Sequence, residues 1–344
     1  MRIYCSGVSW VVLGLMAAVA GAKDLTGQER AIAAGSALVG SPAPRIILKT
    51  IDGQVIDLAD LYGKKAVYLK FWATWCTPCR EQMPHFQHVY ETAGSDLAVI
   101  AVDAGFNDSV EEIVKFRQRH GITMPIVMDD GRLAAALNLR VTPQHIVIGR
   151  DGRIQYVGHL ADAELDAALI AARTTVGGVP QSAAAQASIG HSLRVGEQLP
   201  MSIIRTLDGH AFQVGSNKLG DKSERPTAFL FLSPWCESYL ATTRPTVSAN
   251  CRAAREKIAS LAPGSQVRWL GIASGLWATP DDLREYQVKQ KIGIALTLDE
   301  SGTLFRQFGV ADTPTIVLAD SRGRVVRRIE ASQLGELPQA LGAL

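Results

Sequence analysis

An apolar run, Val67 to Phe71, leads through Trp72-Ala73-Thr74-Trp75 straight into Cys76-Thr77-Pro78-Cys79, and the residues that follow, Arg80 to Tyr90, carry helical spacing. A buried strand that gives way to a helix across two closely spaced thiols restricts the chain to an α/β unit whose helix folds back on its sheet. The same junction sets the chemistry. Cys76 falls at or just before the first helical turn, where unpaired backbone N–H groups and the positive end of the helix dipole favour a thiolate. Lowering a thiol from about 8.5 to about 7 takes roughly 2 kcal/mol, which a helix terminus supplies in partly buried geometry. Cys76, at the exposed end, is the expected attacking sulfur, and Cys79, one turn inside, resolves the mixed disulfide. Pro78 suits the first turn, and with Thr77 it occupies the positions that tune the redox potential. A zinc site needs four ligands; Cys236 and Cys251 are distant in sequence and His85 and His88 complete no recognisable set, so no metal is expected, and no organic cofactor is needed because electrons travel through the sulfurs.

The segment FWATWCTPCREQMP, followed in order by Val102-Asp103, Met124-Pro125, Val141-Thr142-Pro143 and Asp151-Gly152, resembles a thioredoxin-fold domain of the TlpA/ResA type of secreted thiol:disulfide oxidoreductase, from Ser41 to Arg173. The resemblance implies that Cys76 and Cys79 are catalytic and that Trp75, with Trp72, frames the active disulfide. It also implies that Thr142 faces that disulfide and that Pro143 is cis, so that the Thr142 backbone can pair with a substrate peptide. Two positions depart from the pattern. Lys70 stands where thioredoxins carry a buried carboxylate. Pointing inward it would favour the Cys79 thiolate; the reading adopted here is that its amine snorkels to solvent. Gln82 replaces a glutamate three residues after the second cysteine, leaving proton transfer to Glu81 or to water.

With 344 residues, 47% of them apolar and 20% charged, the chain has material for two cores. A net charge of +2 gives no reason to expect a nucleic-acid partner or a membrane-surface partner. Arg2, the apolar run Val11 to Ala20 and Ala20-Gly21-Ala22 read as an export signal over 1–22, cleaved to leave a periplasmic protein, with an uncleaved anchor as the alternative. Cys5 would be lost on cleavage, leaving four cysteines in a compartment that permits disulfides.

The second half repeats the first. Leu199-Pro200 to Asp208-Gly209 parallels Ala43-Pro44 to Asp52-Gly53, Ser265 to Gly275 parallels Ser95 to Gly105, and Thr313-Pro314 parallels Thr142-Pro143. The expected fold is therefore two tandem thioredoxin-like α/β domains, each a central mixed β-sheet flanked by α-helices. The catalytic copy is 41–173, a Gly/Ala/Ser/Gln-rich linker is 174–192, and a divergent copy is 193–344. In the copy, Cys236 is kept but Tyr239 stands where the second thiol should be. Cys251 lies 15 residues beyond Cys236, a separation of roughly 22 Å on one straight helix. Pro245 and the weak helix formers before it permit a hairpin-like detour, and a Cys236–Cys251 disulfide is expected; two separate thiols are the alternative. The second domain then reads either as a second redox centre or as a redox-silent platform beside Thr313-Pro314.

Three function classes follow. The first is an exported thiol:disulfide oxidoreductase that reduces disulfides of protein partners and, by resemblance, is fed by a membrane electron donor. The second is a redox-linked adaptor or chaperone-like binding protein working through the second domain. The third is a thiol peroxidase, disfavoured because Ala73 stands where peroxiredoxins place Thr or Ser. Oligomeric state is not legible in the sequence.

Overall fold

A computed structural model describes residues 25–178, 192–215 and 225–344 of the chain. The expected export signal at 1–22, with Cys5, and residues 179–191 of the expected linker lie outside the described residues. Helix α1 (Gly27–Gly35) opens on a capping box between Thr26 and Glu29. It packs so closely on the last strand of the first sheet that a Cβ at Gly35 would come within 2.4 Å of the Val157 side chain. A hairpin, β1 (Ile47–Lys49) and β2 (Val55–Asp57), runs into the short α2 (Leu58–Leu61), capped by Asp57.

The apolar run then forms β3 (Ala66–Trp72), buried along its whole length. It is followed by α3 (Thr77–Glu81), α4 (Met83–Glu91), β4 (Leu97–Asp103), α5 (Val110–His120), β5 (Ile126–Met128), α6 (Arg132–Ala136), β6 (Gln144–Ile148), β7 (Ile154–Gly158) and α7 (Ala163–Thr174). The single helix expected over 80–90 starts earlier, at Thr77, and is divided at Gln82, because Pro84 has no N–H to offer the Arg80 carbonyl. The sheet order is β5-β4-β3-β6-β7, with β3 parallel to β4 and antiparallel to β6. Side chains of β3 alternate between two cores: Val67, Leu69 and Phe71 meet Leu58, Leu133 and Ile146 on one face, and Tyr68 and Trp72 meet Cys79, Met83 and Phe86 on the other. Both faces are covered, which is why β3 reads as a continuous apolar run and not as an alternating one.

The second half rebuilds this unit. A hairpin, β8 (Ser202–Arg205) and β9 (Ala211–Val214), precedes β10 (Thr227–Leu232), α8 (Cys236–Thr243), α9 (Pro245–Leu261), β11 (Arg268–Ser274), α10 (Pro280–Lys289), β12 (Ala295–Asp299), α11 (Thr303–Phe308), β13 (Thr315–Ala319), β14 (Val325–Glu330), one 3₁₀ segment (Ala331–Glu336) and α12 (Leu337–Gly342). Its order, β12-β11-β10-β13-β14, reproduces the first sheet strand for strand. Two five-stranded mixed sheets flanked by helices are thus the two thioredoxin-like units. The insertion in the copy is a helical hairpin: α8 ends at Thr243, and Pro245 opens α9, where a missing N–H costs nothing.

The two units meet through the ends that carry their cysteines. One apolar cluster holds Trp75, Cys76 and Cys79 of the first together with Phe231, Cys236 and Phe305 of the second. Trp75 and Trp235, at matching positions, lie 5.2 Å apart between ring centres, and Phe106 packs on Trp235 and Phe305. Polar clamps surround this contact. Arg244 reaches Asp108, Glu112 and Thr74, Arg140 reaches Glu300, and Arg30 reaches Asp282.

Candidate active site

Cys76 is the N-cap of α3, with φ −75° and ψ 109°, and its Sγ accepts the Cys79 N–H at 3.2 Å. The two sulfurs are bonded to each other. A β-region N-cap followed by Pro78 in the first turn puts both the free N–H groups and the positive helix end on Cys76. The Thr142–Pro143 peptide is cis, and the Thr142 carbonyl oxygen lies 3.3 Å from Cys76 Sγ. The structure thus brings Cys76, Cys79, Trp75, Thr142 and Pro143 together. Trp75 donates its indole N–H to the Phe106 carbonyl at 2.8 Å. Cys76 is not at an exposed end: it is 0% exposed. Trp235 and Tyr239 of the second unit pack on Trp75 beside it, and the Thr77 N–H donates to the Tyr239 hydroxyl at 3.1 Å.

Lys70 does not snorkel. It is fully buried, paired across the ladder with His145, and its Nζ sits 5.1 Å from the centre of the Phe86 ring with no hydrogen-bond partner. The strand is central and covered on both faces, so four methylenes cannot carry the amine to water. Burial pulls the amine down to about 7. Glu81, by contrast, is exposed, and Gln82 makes the connections. Gln82 Oε1 accepts from His145 Nε2, and its amide donates to the His159 carbonyl. The other nitrogen of His145 accepts the Tyr68 O–H at 2.7 Å, and His159 Nδ1 donates to the Pro143 carbonyl at 2.7 Å. Burial holds both imidazoles below the usual histidine range, His145 far below it, and so fixes these tautomers. A chain of bonded groups therefore ties α4 and β3 to the proline beside the sulfurs.

A carboxylate pair supports the other flank. Asp108 Oδ2 takes the Thr74 N–H at 2.7 Å, and Asp108 also bonds the Thr74 hydroxyl. Burial raises Asp108 despite these bonds and Arg244, and burial with the charge of Asp108 pushes Asp103 far higher. A lone aspartate at a strand end and another in the loop after it carry no local signal of this kind.

In the second unit the Cys236 and Cys251 sulfurs are bonded, with Cα atoms 6.3 Å apart. Thr313–Pro314 is cis as well, but here it is Cys251 Sγ that approaches the preceding carbonyl, at 3.7 Å. Among the described residues no cluster of three or more His, Cys, Asp or Glu could hold a metal ion.

The profile of the AhpC/TSA family matches residues 39–157. The chain is 35% identical over 130 residues to the thioredoxin-like protein YneN of Bacillus subtilis, covering 37% of this chain and 76% of that one. It is 34% identical over 148 residues to the thiol-disulfide oxidoreductase ResA of Halalkalibacterium halodurans, covering 42% and 82%. The chain belongs to the ResA-like thiol-disulfide oxidoreductases. A thiol:disulfide interchange protein of Chlorobium tepidum also aligns, at 28% identity over 39% of this chain and 96% of that one, with a TM-score of 0.36. Membership of the ResA-like group makes the protein a disulfide oxidoreductase acting on thiols and disulfides.

Proposed function

We propose that the protein reduces disulfides of protein partners outside the cytoplasm, in the periplasm, after export by a cleaved signal at 1–22. In this reading residues 41–173 carry catalysis, and residues 193–344, after a linker at 174–192, govern access to it. In the dithiol form, the Cys76 thiolate attacks one sulfur of a substrate disulfide, and the other leaves as a thiolate. The Cys79 thiolate then attacks Cys76 Sγ, releasing the second substrate thiol and leaving the Cys76–Cys79 disulfide. A membrane dithiol donor returns two electrons and two protons. Trp75, Thr142 and Pro143 border the substrate, and Thr77 and Pro78 tune the pair. Lys70, its amine near 7 and on the sheet face beneath the helix of Cys79, adds a charge that changes close to neutrality.

The observation that carries this reading is Cys76 at the N-cap, taking the Cys79 N–H and lying 3.3 Å from the Thr142 carbonyl oxygen. Cys76→Ala is expected to abolish insulin-disulfide reduction, and the pair's potential to lie below about −200 mV, on the reductase side of the scale. A potential near −120 mV, that of a strong oxidant, would reverse the direction, and turnover surviving in Cys76→Ala would remove the mechanism.

A further inference from the structure

The loop after β11 lies across the strip that leads to Pro143. The Trp277 N–H donates to the Arg140 carbonyl at 2.8 Å, and its indole N–H donates to the Thr142 hydroxyl at 3.3 Å. The Trp277 ring stands edge-on to His159, 5.5 Å between centres, and His159 is itself bonded to the Pro143 carbonyl. Trp277 thus holds both the main-chain acceptor at Arg140 and the Thr142 side chain in the bend that leads into cis Pro143 and β6, where a peptide pairing with Thr142 would lie. It does so with φ +57°, a left-handed conformation that a bulky aromatic side chain adopts only under constraint.

Asn107, the matching position of the first unit, makes the mirror contact. It also has positive φ, at +52°, its N–H donates to the Ala311 carbonyl at 3.0 Å, and its amide both accepts the Thr313 N–H and donates to the Thr313 hydroxyl. The two contacts differ in one respect. Asn107 supplies an acceptor to the backbone N–H of Thr313, whereas an indole is a donor only and has none for the N–H of Thr142. A polypeptide backbone carbonyl can satisfy that N–H; a disulfide without carbonyls, such as cystamine, cannot.

We infer that Trp277 determines substrate specificity: it occupies the peptide-pairing strip beside Cys76, so that extended polypeptides able to replace it at Arg140 and Thr142 reach the sulfur and small disulfides do not. The inference rests on the proposed role of Cys76 as the attacking sulfur. Complete burial of Cys76 accords with it, since a substrate must displace some covering group before it reaches that sulfur.

Trp277→Gly keeps a residue that tolerates positive φ and removes the indole. In the reduced full-length protein it should raise the rate at which cystamine and iodoacetamide react with Cys76 by at least about tenfold, equivalent to about 1.4 kcal/mol of lost closure. The advantage of a disulfide-bonded peptide over cystamine should shrink by a similar factor. Tyr239→Phe, which deletes only the acceptor for the Thr77 N–H, should raise the same rates about fivefold, the equivalent of one hydrogen bond of about 1 kcal/mol. If Trp277→Gly does not fold, Trp277→Asn, which also tolerates positive φ and removes the indole, carries the test. Rates unchanged in every folded variant overturn the inference. Cys76→Ala turnover tests the proposed function separately, because it depends on the sulfur and not on what covers it.

Discussion

Replacing Lys70 by Met removes an amine that is 0% exposed and has no hydrogen-bond partner, at nearly constant volume. Drawing that amine from 10.5 to about 7 corresponds to about 5 kcal/mol against its charged form, at about 1.4 kcal/mol per decade. The folded value lies below the unfolded one, so the native state binds fewer protons than the unfolded state between about pH 7 and the ordinary lysine value. The stability this group leaves intact above that window is lost as pH falls through it, and below about pH 7 the loss is complete. Local relaxation reduces such penalties, so Lys70→Met is expected to stabilise the oxidised protein by about 2–5 kcal/mol near pH 6. Near pH 10 the gain should shrink to that of an unpaired neutral amine, about 1–3 kcal/mol. Urea unfolding followed by tryptophan fluorescence, with unchanged m-values, measures this. The difference between variant and parent isolates Lys70 from other titrating groups. Parallel pH dependences for the two proteins would refute the reasoning, because they would mean that position 70 does not titrate within the window.

Two further substitutions test the contacts around the sulfurs. Arg244→Ala strips the counter-charge from Asp108, whose side chain is 0% exposed, and should cost about 3–5 kcal/mol at neutral pH. Asp108 has a raised folded value, so its burial penalty is absent below its ordinary 3.8 and grows as pH rises; the loss in thermal stability should therefore be smaller near pH 4 than near pH 7, and equal losses would exclude a charged Asp108. Cys251→Ser opens the bridge between residues 15 apart and should lower the stability of the second unit by about 3 kcal/mol, read by calorimetry. A variant as stable as the parent would show that the bridge does not constrain the unfolded chain.

The strand, the paired thiols and the helix start were legible at Val67 to Cys79 because their signals are local: an apolar run, a spacing and a proline. The repeated landmarks at Asp208-Gly209, Ser265 to Gly275 and Thr313-Pro314 announced a second copy, and Pro245 announced the bend that lets Cys236 and Cys251 meet. What escaped depends on partners distant in sequence. A lysine reads as a surface residue until both faces of its strand are known to be covered, and Lys70 lies on such a strand. Gln82 read as a missing glutamate, not as the link between two histidines that reach it from β6 and from beyond β7. Burial of Cys76 and the positions of Asn107, Asp108, Arg244 and Trp277 follow from how the two units face each other. No periodicity within either unit encodes that arrangement.

Because Trp75 and Trp235 meet across units carried by a single chain, their encounter is unimolecular. Diluting the protein cannot draw the halves apart as it would a dimer of separate subunits, since tethering holds the effective concentration of one for the other constant. On the proposed reading that the second unit governs access to Cys76, the fraction of single chains with that contact open is then independent of how many copies are present.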